Sequence, residues 1–217
     1  HLEPKLSSDA GIGVIYQEFN LVPGLTVAEN VFMGNYAGNG VTVDFKTMRK
    51  RAEETMDKVG VRIPADKMVS ELTVGHQQIV EIMRSLVKEI KLLIMDEPTA
   101  PLTANEVEQL FKIVNTLRGQ GITIIYISHR MEEIFELTDR VSVMRDGTYI
   151  TTLDVDKTNI KELIQYMVGR ELRDEYPQRN TPIGGELLRA EHLSGNGVED
   201  ISFTLHKGEI LGFAGLL

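Results

Sequence analysis

Unbroken apolar runs alternate along this chain with stretches in which apolar residues recur every three or four positions. That is the pattern of buried strands separated by amphipathic helices. The runs are Gly11 to Tyr16, entered through glycines, Leu92 to Met95, and Ile122 to Ile127. Helical spacing predicts a short helix over Thr26 to Met33, with Val27, Asn30 and Val31 on related faces. A longer one runs from about Lys46 to Val59 and buries Met48, Ala52, Met56 and Val59; Asp44 caps its start and Gly60 ends it. Another starts at Thr73 and reaches about Leu86, with a stripe of Ile79, Ile82, Met83 and Leu86. Thr103 and Glu106 form a capping-box pair ahead of Val107, Leu110, Phe111, Val114 and Leu117, and Gly119 and Gly121 stop that helix. Met131 to Leu137 is a short helix, and Thr158 or Asn159 starts one carrying Ile160, Leu163, Ile164, Met167 and Val168 up to Gly169. His1 to Ala10 reads as polar and irregular, and Gly34 to Gly40 as a glycine-rich loop.

The strand at Leu92, the helix after Thr103 and the strand at Ile122 make a strand–helix–strand unit, so its two strands are parallel neighbours. Unbroken apolar runs of this kind are expected to be covered on both faces. Asp146-Gly147 joins a hairpin of Arg140–Met144 and Thr148–Leu153. Arg170 to Gly185, with Pro177, Pro182 and Gly184-Gly185, reads as a linker. Beyond it, Leu187 to Glu191 and Val198 to Leu205 alternate apolar and polar residues, His206 to Glu209 is a turn, and Ile210 to Gly215 reads as a buried strand. About thirty residues cannot bury a core of their own, so this part is either an incomplete second domain or strands that pack on the first.

With 217 residues, the chain has room for one large domain or two small ones. Hydrophobic residues at 42% and charged residues at 25% describe an ordinary globular composition. A formal charge of −9 argues against binding nucleic acid through a broad basic face. The chain has no cysteine, which rules out disulfides and thiolate chemistry. No apolar stretch approaches the roughly 20 residues that cross a bilayer, and no signal peptide is visible at the start.

Three places carry candidate chemistry. The strand at Leu92 ends in Asp96-Glu97-Pro98-Thr99. Two carboxylates beside a buried core need a cation or good donors. This is either a metal–phosphate site, with Asp96 holding Mg²⁺ and Glu97 facing an attacking water, or a strand that ends in surface acids. The strand at Ile122 ends in Ser128-His129, and the parallel pairing puts His129 at the same sheet edge as Asp96 and Glu97, where open α/β sheets bind ligands. Thr73-Val74-Gly75-His76-Gln77 opens a helix with small and polar residues, so an anion could approach its free N–H groups. The alternative there is an ordinary helix start capped by Thr73.

Taken in order, these pieces resemble the nucleotide-binding subunits of ABC transporters. Gln17 matches the Q-loop glutamine and Leu72 to Gln77 the signature motif. Leu92 to Glu97 matches the Walker B strand, Ala100-Pro101-Leu102-Thr103 the D-loop, and His129 the switch histidine. Tyr16 to Pro23, Tyr126 to Ile134, and Met167-Val168-Gly169-Arg170 followed by Tyr176-Pro177 are similar to the bacterial monosaccharide-import ATPases of the ribose, galactose and xylose type, which carry two ATPase domains in one polypeptide. Val198 to Phe203 and Lys207 to Ile210 resemble the start of an ABC domain. Thr73 stands for the usual Ser of the signature, His76 for a usual Gly, Gln or Asp, and Pro101 for a small D-loop residue. No Gly-x-x-x-x-Gly-Lys-Ser/Thr occurs in the chain; the resemblance implies that one phosphate loop lies before His1 and another after Leu217.

The resemblance implies an α/β fold. Its core is like that of the P-loop NTPases, with a mostly parallel sheet, a helical subdomain over about 44–90 and the antiparallel start of a second ABC domain. Residues 1–172 are then a first ATPase domain without its N-terminal part, 173–186 a linker, and 187–217 the second domain's beginning. The function implied is an ATPase that couples ATP hydrolysis to monosaccharide uptake. Glu97, His129 and Gln17 are its catalytic residues, and Asp96 and Gln17 hold Mg²⁺. Thr73, Val74, Gly75, His76 and Gln77 meet ATP held by the second domain. Implied partners are that second ATPase domain, transmembrane permease subunits touching Gln17–Asn30 and the helical subdomain, and, indirectly, a periplasmic sugar-binding protein. The location is peripheral, on the cytoplasmic face of the bacterial inner membrane. Two rivals stand beside this. One is an ABC ATPase acting on ribosomes or nucleic acid, which the acidic balance disfavours; the other is a non-catalytic interaction module. The isolated chain, without a phosphate loop, is expected to be inactive.

Overall fold

The computed structural model describes residues 4–38, 42–88, 90–169, 181–195 and 197–213. The chain divides into two compact units, His1–Arg170 and Glu171–Leu217. In the first unit, three strands form a parallel sheet in the order β1 (Ile12–Ile15), β2 (Leu92–Asp96), β3 (Thr123–Ile127). β2 is central: Ile15 pairs with Met95 on one side, and Asp96 with Ile127 on the other.

One face of this sheet is closed and the other is open. Ile15, Leu93 and Met95 point into a continuous apolar core and are all but fully buried. That core also contains Ile79, Val80, Ile82 and Met83 of helix α4 (Val74–Leu86) and Leu110, Phe111, Val114 and Leu117 of helix α5 (Ala104–Gly119). α4 approaches β1 closely at Gly13, where an added Cβ would lie 3.2 Å from the Cβ of Ser85. On the opposite face, Ile125 and Ile127 remain 47% and 46% exposed. The runs predicted to be covered on both faces are therefore covered on one. Period-2 geometry sends alternate residues to the other face, where Ile12, Val14, Leu92 and Ile94 are half-buried and Ile125 and Ile127 exposed.

Local chemistry sets most helix boundaries. Helix α2 (Val27–Val31) starts in a capping box between Thr26 and Glu29. Helix α3 (Phe45–Lys58) is capped by Asp44, which accepts from the Thr47 N–H. α3 presents Met48, Ala52 and Met56 to the core. The segment before α2 is tied down by the fully buried Asn30. Its Oδ1 accepts from Val22 N–H at 2.8 Å, and its Nδ2 donates to the carbonyls of Val22 and Thr26 at 3.1 and 3.0 Å. After helix α6 (Met131–Leu137) come β4 (Arg140–Arg145) and β5 (Thr148–Asp154). Asp146 and Gly147 turn this hairpin with φ of 51° and 72°, the left-handed values a two-residue turn of this kind requires. Helix α7 (Ile160–Val168) is capped by Asn159 and ends at Gly169 in the αL conformation.

One expectation of irregular structure fails in this unit. Pro4–Asp9, read as irregular, forms a short helix α1, because nothing in that stretch after Pro4 breaks a helix and Pro suits a first helical position. Part of the loop expected at Gly34 to Gly40 lies outside the described residues.

In the second unit, β6 (Glu186–Gly195) and β7 (Val198–His206) pair antiparallel with several register shifts. His192 and Asp200 both take φ of 53° at the irregular part and hydrogen-bond through their side chains at 2.5 Å. The strand expected at Ile210 to Gly215 is not formed over 210–213, where Ile210 is 87% and Phe213 73% exposed. An apolar run makes a strand only where a neighbouring strand completes its hydrogen bonds, and the described residues of this unit offer none there. Residues 214–217, and most of the expected linker at 170–180, lie outside the described residues.

Candidate active site

The C-terminal edge of the three-stranded sheet gathers four of the residues singled out from the sequence, Asp96, Glu97, His129 and Gln17. β2 ends at Asp96, half-buried, with Ile127 as its partner in register. The Glu97 N–H still donates to the Ile127 carbonyl at 2.9 Å, so the ladder continues one residue past the strand. Glu97 itself has φ of 44°. A non-glycine residue held in the left-handed region costs on the order of 1–3 kcal/mol and persists only where its surroundings impose it. The conformation turns the chain sharply into Pro98-Thr99 and aims the Glu97 carboxylate away from the strand.

That carboxylate meets His129. Glu97 Oε1 lies 2.9 Å from His129 Nδ1, across the ends of the adjacent strands β2 and β3. The His129 side chain is 69% exposed, and that of Glu97 29%. Gln17 lies two residues beyond β1, exposed, at the same edge. Asp96, Glu97 and Gln17 offer only oxygen ligands of the kind a hard divalent cation takes. Among the described residues, no group of three or more His, Cys, Asp and Glu side chains forms a complete metal cage. An ion here would need further ligands from water or a bound phosphate.

The helix start at Thr73 to Gln77 is built as an ordinary capped N-terminus with one addition. Thr73 accepts from His76 N–H at 3.3 Å, and Gln77 Nε2 donates to the Leu72 carbonyl at 3.2 Å. Thr73 and Val74 are exposed. The addition is Glu106, whose Oε1 accepts from the Gly75 N–H at 3.0 Å, while Oε2 takes both the N–H and the hydroxyl of Thr103, at 3.0 and 2.9 Å. These bonds, the Thr103 N–H foremost, hold the Glu106 carboxyl below its ordinary range. The capping box of α5 thus also secures the start of α4. No hydrogen bond or ion pair among the described residues joins Thr73–Gln77 directly to Glu97 or His129. The helix start and the strand edge are separate places in the structure.

Two arrangements escaped the sequence reading. Glu133, in the first turn of α6, is only 3% exposed. Its Oε1 accepts from the Thr99 hydroxyl at 2.7 Å, and its Oε2 from Ser128 Oγ at 2.8 Å and the Tyr126 hydroxyl at 3.0 Å. Arg130 completes the set with an ion pair at 3.1 Å. Burial, and next the charge of Glu133, push the Tyr126 phenol far above its usual range, so it remains a donor. The available signal was an acid in a first helical turn, a place where acids are usual at the surface. The second arrangement is a clamp on Asn20: Glu81 Oε1 accepts its N–H, and Arg84 donates to its carbonyl, both at 2.6 Å. It ties α4 to the segment after Gln17.

Residues 3–100 match the ABC transporter family model. The chain is 49% identical over 215 residues to the Ribose import ATP-binding protein RbsA of Lactococcus lactis subsp. lactis (strain IL1403), covering 99% of this chain and 44% of that protein. It therefore spans less than half the length of that relative. Among solved structures, cbiO1 from Clostridium perfringens, part of an ABC transporter complex, matches at a TM-score of 0.60 with 28% identity, over 74% of this chain and 62% of that one. An ATP-binding cassette solved as a dimer in a post-hydrolysis state, bound to ADP and Pi, matches at 0.58 with 26% identity, over 70% of this chain and 66% of that one.

Proposed function

We propose that this chain, which belongs to the ABC transporter family, forms most of one ATPase domain of a monosaccharide importer together with the beginning of a second. The observation that carries this reading is the Glu97–His129 pair, 2.9 Å apart at the sheet edge that also presents Asp96. In the proposed reaction, Glu97 orients the water that attacks the γ-phosphate of ATP. His129 holds the Glu97 carboxylate in place and reaches the same phosphate. Positioning and charge stabilisation account for most of the acceleration in phosphoryl transfer. Asp96 and Gln17 would hold Mg²⁺, whose charge offsets that of the phosphates.

The start of α4 serves the other site in this proposal. Thr73, Val74, Gly75, His76 and Gln77 face ATP bound by a second ATPase domain. The open face of the sheet, with Ile125 and Ile127, is the surface on which the phosphate-loop part of the full-length protein packs. The helical layer over about 44–90 and the segment Gln17–Asn30 meet transmembrane permease subunits, which receive sugar from a periplasmic binding protein. The protein sits peripherally at the cytoplasmic face of the membrane; no helix among the described residues is long and apolar enough to cross it.

The test is ATP turnover by the full-length protein and its Glu97→Gln variant. Glutamine keeps the bond to His129 but removes the carboxylate that activates water. Turnover is expected to fall by at least 100-fold, while nucleotide stays bound long enough to be recovered with the protein. Normal turnover in the variant would remove Glu97 from the proposed role.

A further inference from the structure

His129 has little to hold it. Its side chain is 69% exposed, and its ring touches Glu97 alone among the described hydrogen-bonding groups. Packing therefore does not fix its distance to Glu97; the backbone on either side must. The residues on either side are Ser128 and Arg130, and both donate to Glu133, Ser128 Oγ to Oε2 at 2.8 Å and Arg130 in an ion pair at 3.1 Å. The Arg130 N–H also donates to Ser128 Oγ at 3.0 Å, closing the loop around His129. The other end of the pair is tied to the same carboxylate. Thr99, two residues after Glu97 and 2% exposed, donates to Glu133 Oε1 at 2.7 Å.

A buried carboxylate is costly unless donors compensate it. An apolar side chain would fill this place with no such cost, but it would not fix three hydroxyls and a guanidinium in one geometry. Fully satisfied buried polar networks select a single arrangement of the groups they join. The network here joins the turn after Glu97, strand β3 through Tyr126, and the loop that carries His129.

We propose that Glu133 is a positioning residue for ATP hydrolysis: one buried carboxylate tethers both neighbours of His129 and the turn after Glu97, and so sets the separation of the catalytic pair. The inference rests on the function proposed above. Glu133 acts only through His129 and Glu97, so its removal slows the chemical step and leaves nucleotide binding in place.

The test is a double-mutant cycle in the full-length protein. Glu133→Gln retains the shape and one acceptor but cannot take four donors. Its kcat is expected to fall tenfold or more, with KM for ATP within threefold of the parent. In a His129→Ala background, assayed by single turnover, Glu133→Gln should cost several-fold less than in the parent, because residues that act as a unit are not additive and only the tether to the turn after Glu97 remains. A kcat within twofold of the parent for Glu133→Gln, or a tenfold loss that recurs without His129, would overturn the proposal. If Glu133→Gln does not fold, Glu133→Asp, which keeps the charge and shortens the reach, is read by the same criteria. A parent protein with no ATPase activity would sink the proposed function itself; an active parent with an unaffected Glu133 variant would sink only the positioning role.

Discussion

Glu97 Oε1 and His129 Nδ1 lie 2.9 Å apart, although 32 residues separate them in the chain. The contact follows from register. Asp96 pairs with Ile127, so the first turn residues beyond each strand emerge side by side, and the left-handed conformation at Glu97 swings its carboxylate across the gap. His129→Ala removes the partner without disturbing the buried core. In the full-length protein we expect kcat to fall about 100-fold or more, with nucleotide affinity within a few-fold of the parent. Steady-state turnover combined with equilibrium ATP binding checks both halves of that statement.

Gly75 has no room for a side chain. An added Cβ would lie 2.4–2.6 Å from the side chain of Glu106, which accepts the Gly75 N–H. Gly75→Ala should therefore push Glu106 out of its place on Thr103 as well and weaken the start of α5. A lost cap costs about 1 kcal/mol, and urea unfolding should show a loss of that order. Glu106→Ala should cost a similar amount, and the double variant should cost less than the sum of the two, since both act on one contact.

Acid should weaken the same joint. The Thr103 N–H, foremost, lowers the Glu106 carboxyl from its ordinary value of 4.5, and the Thr26 hydroxyl, foremost, does the same for Glu29. A carboxyl depressed in the folded state contributes stability that is present above its unfolded pKa and lost as pH falls through the folded one. Stability should be level from pH 7 to about 5 on this account and then decline. Glu106→Gln should show a shallower decline below pH 4.5, measured by denaturant unfolding across that range. Parallel curves for the two proteins would count against this linkage.

Asn30 holds the chain from Val22 to Thr26 against α2 while fully buried. Asn30→Ala leaves the Val22 N–H without its partner and takes one of two donors from the carbonyls of Val22, Leu25 and Thr26. We expect a loss of about 2–3 kcal/mol in denaturant unfolding. The segment after Gln17 should also become more accessible to protease. An unchanged digestion pattern would show that the segment is held by other contacts.

Where local chemistry decides structure, the sequence was sufficient except at Pro4–Asp9, a helix read as irregular. Asp44, Thr103, Asn159 and Gly169 bound their helices as expected, and Asp146-Gly147 turns its hairpin. A cap satisfies backbone groups within a few residues of itself, and periodicity is a property of the same short window. The parallel pairing of β2 and β3 was also legible, because a helical crossover of this length permits it. The failures mark the limit of that window. Ile125 and Ile127 look like core in sequence yet lie on an open face, and the apolar stretch at 210–213 finds no strand to pair with.

By itself, then, the amino-acid order determined most of the elements and their ends, the helix at Pro4–Asp9 and the unformed strand at 210–213 excepted, and the delivery of Asp96, Glu97 and His129 to strand termini. Only the tertiary structure decided which of these meet. It placed β1 on the far side of β2, brought Glu106 of one helix onto Gly75 of another, and buried Glu133 beneath the residues flanking His129. The reason is physical. Caps and periodicity depend on neighbours in the chain, whereas a carboxylate becomes a surface acid or the centre of a buried network according to donors that folding supplies from elsewhere.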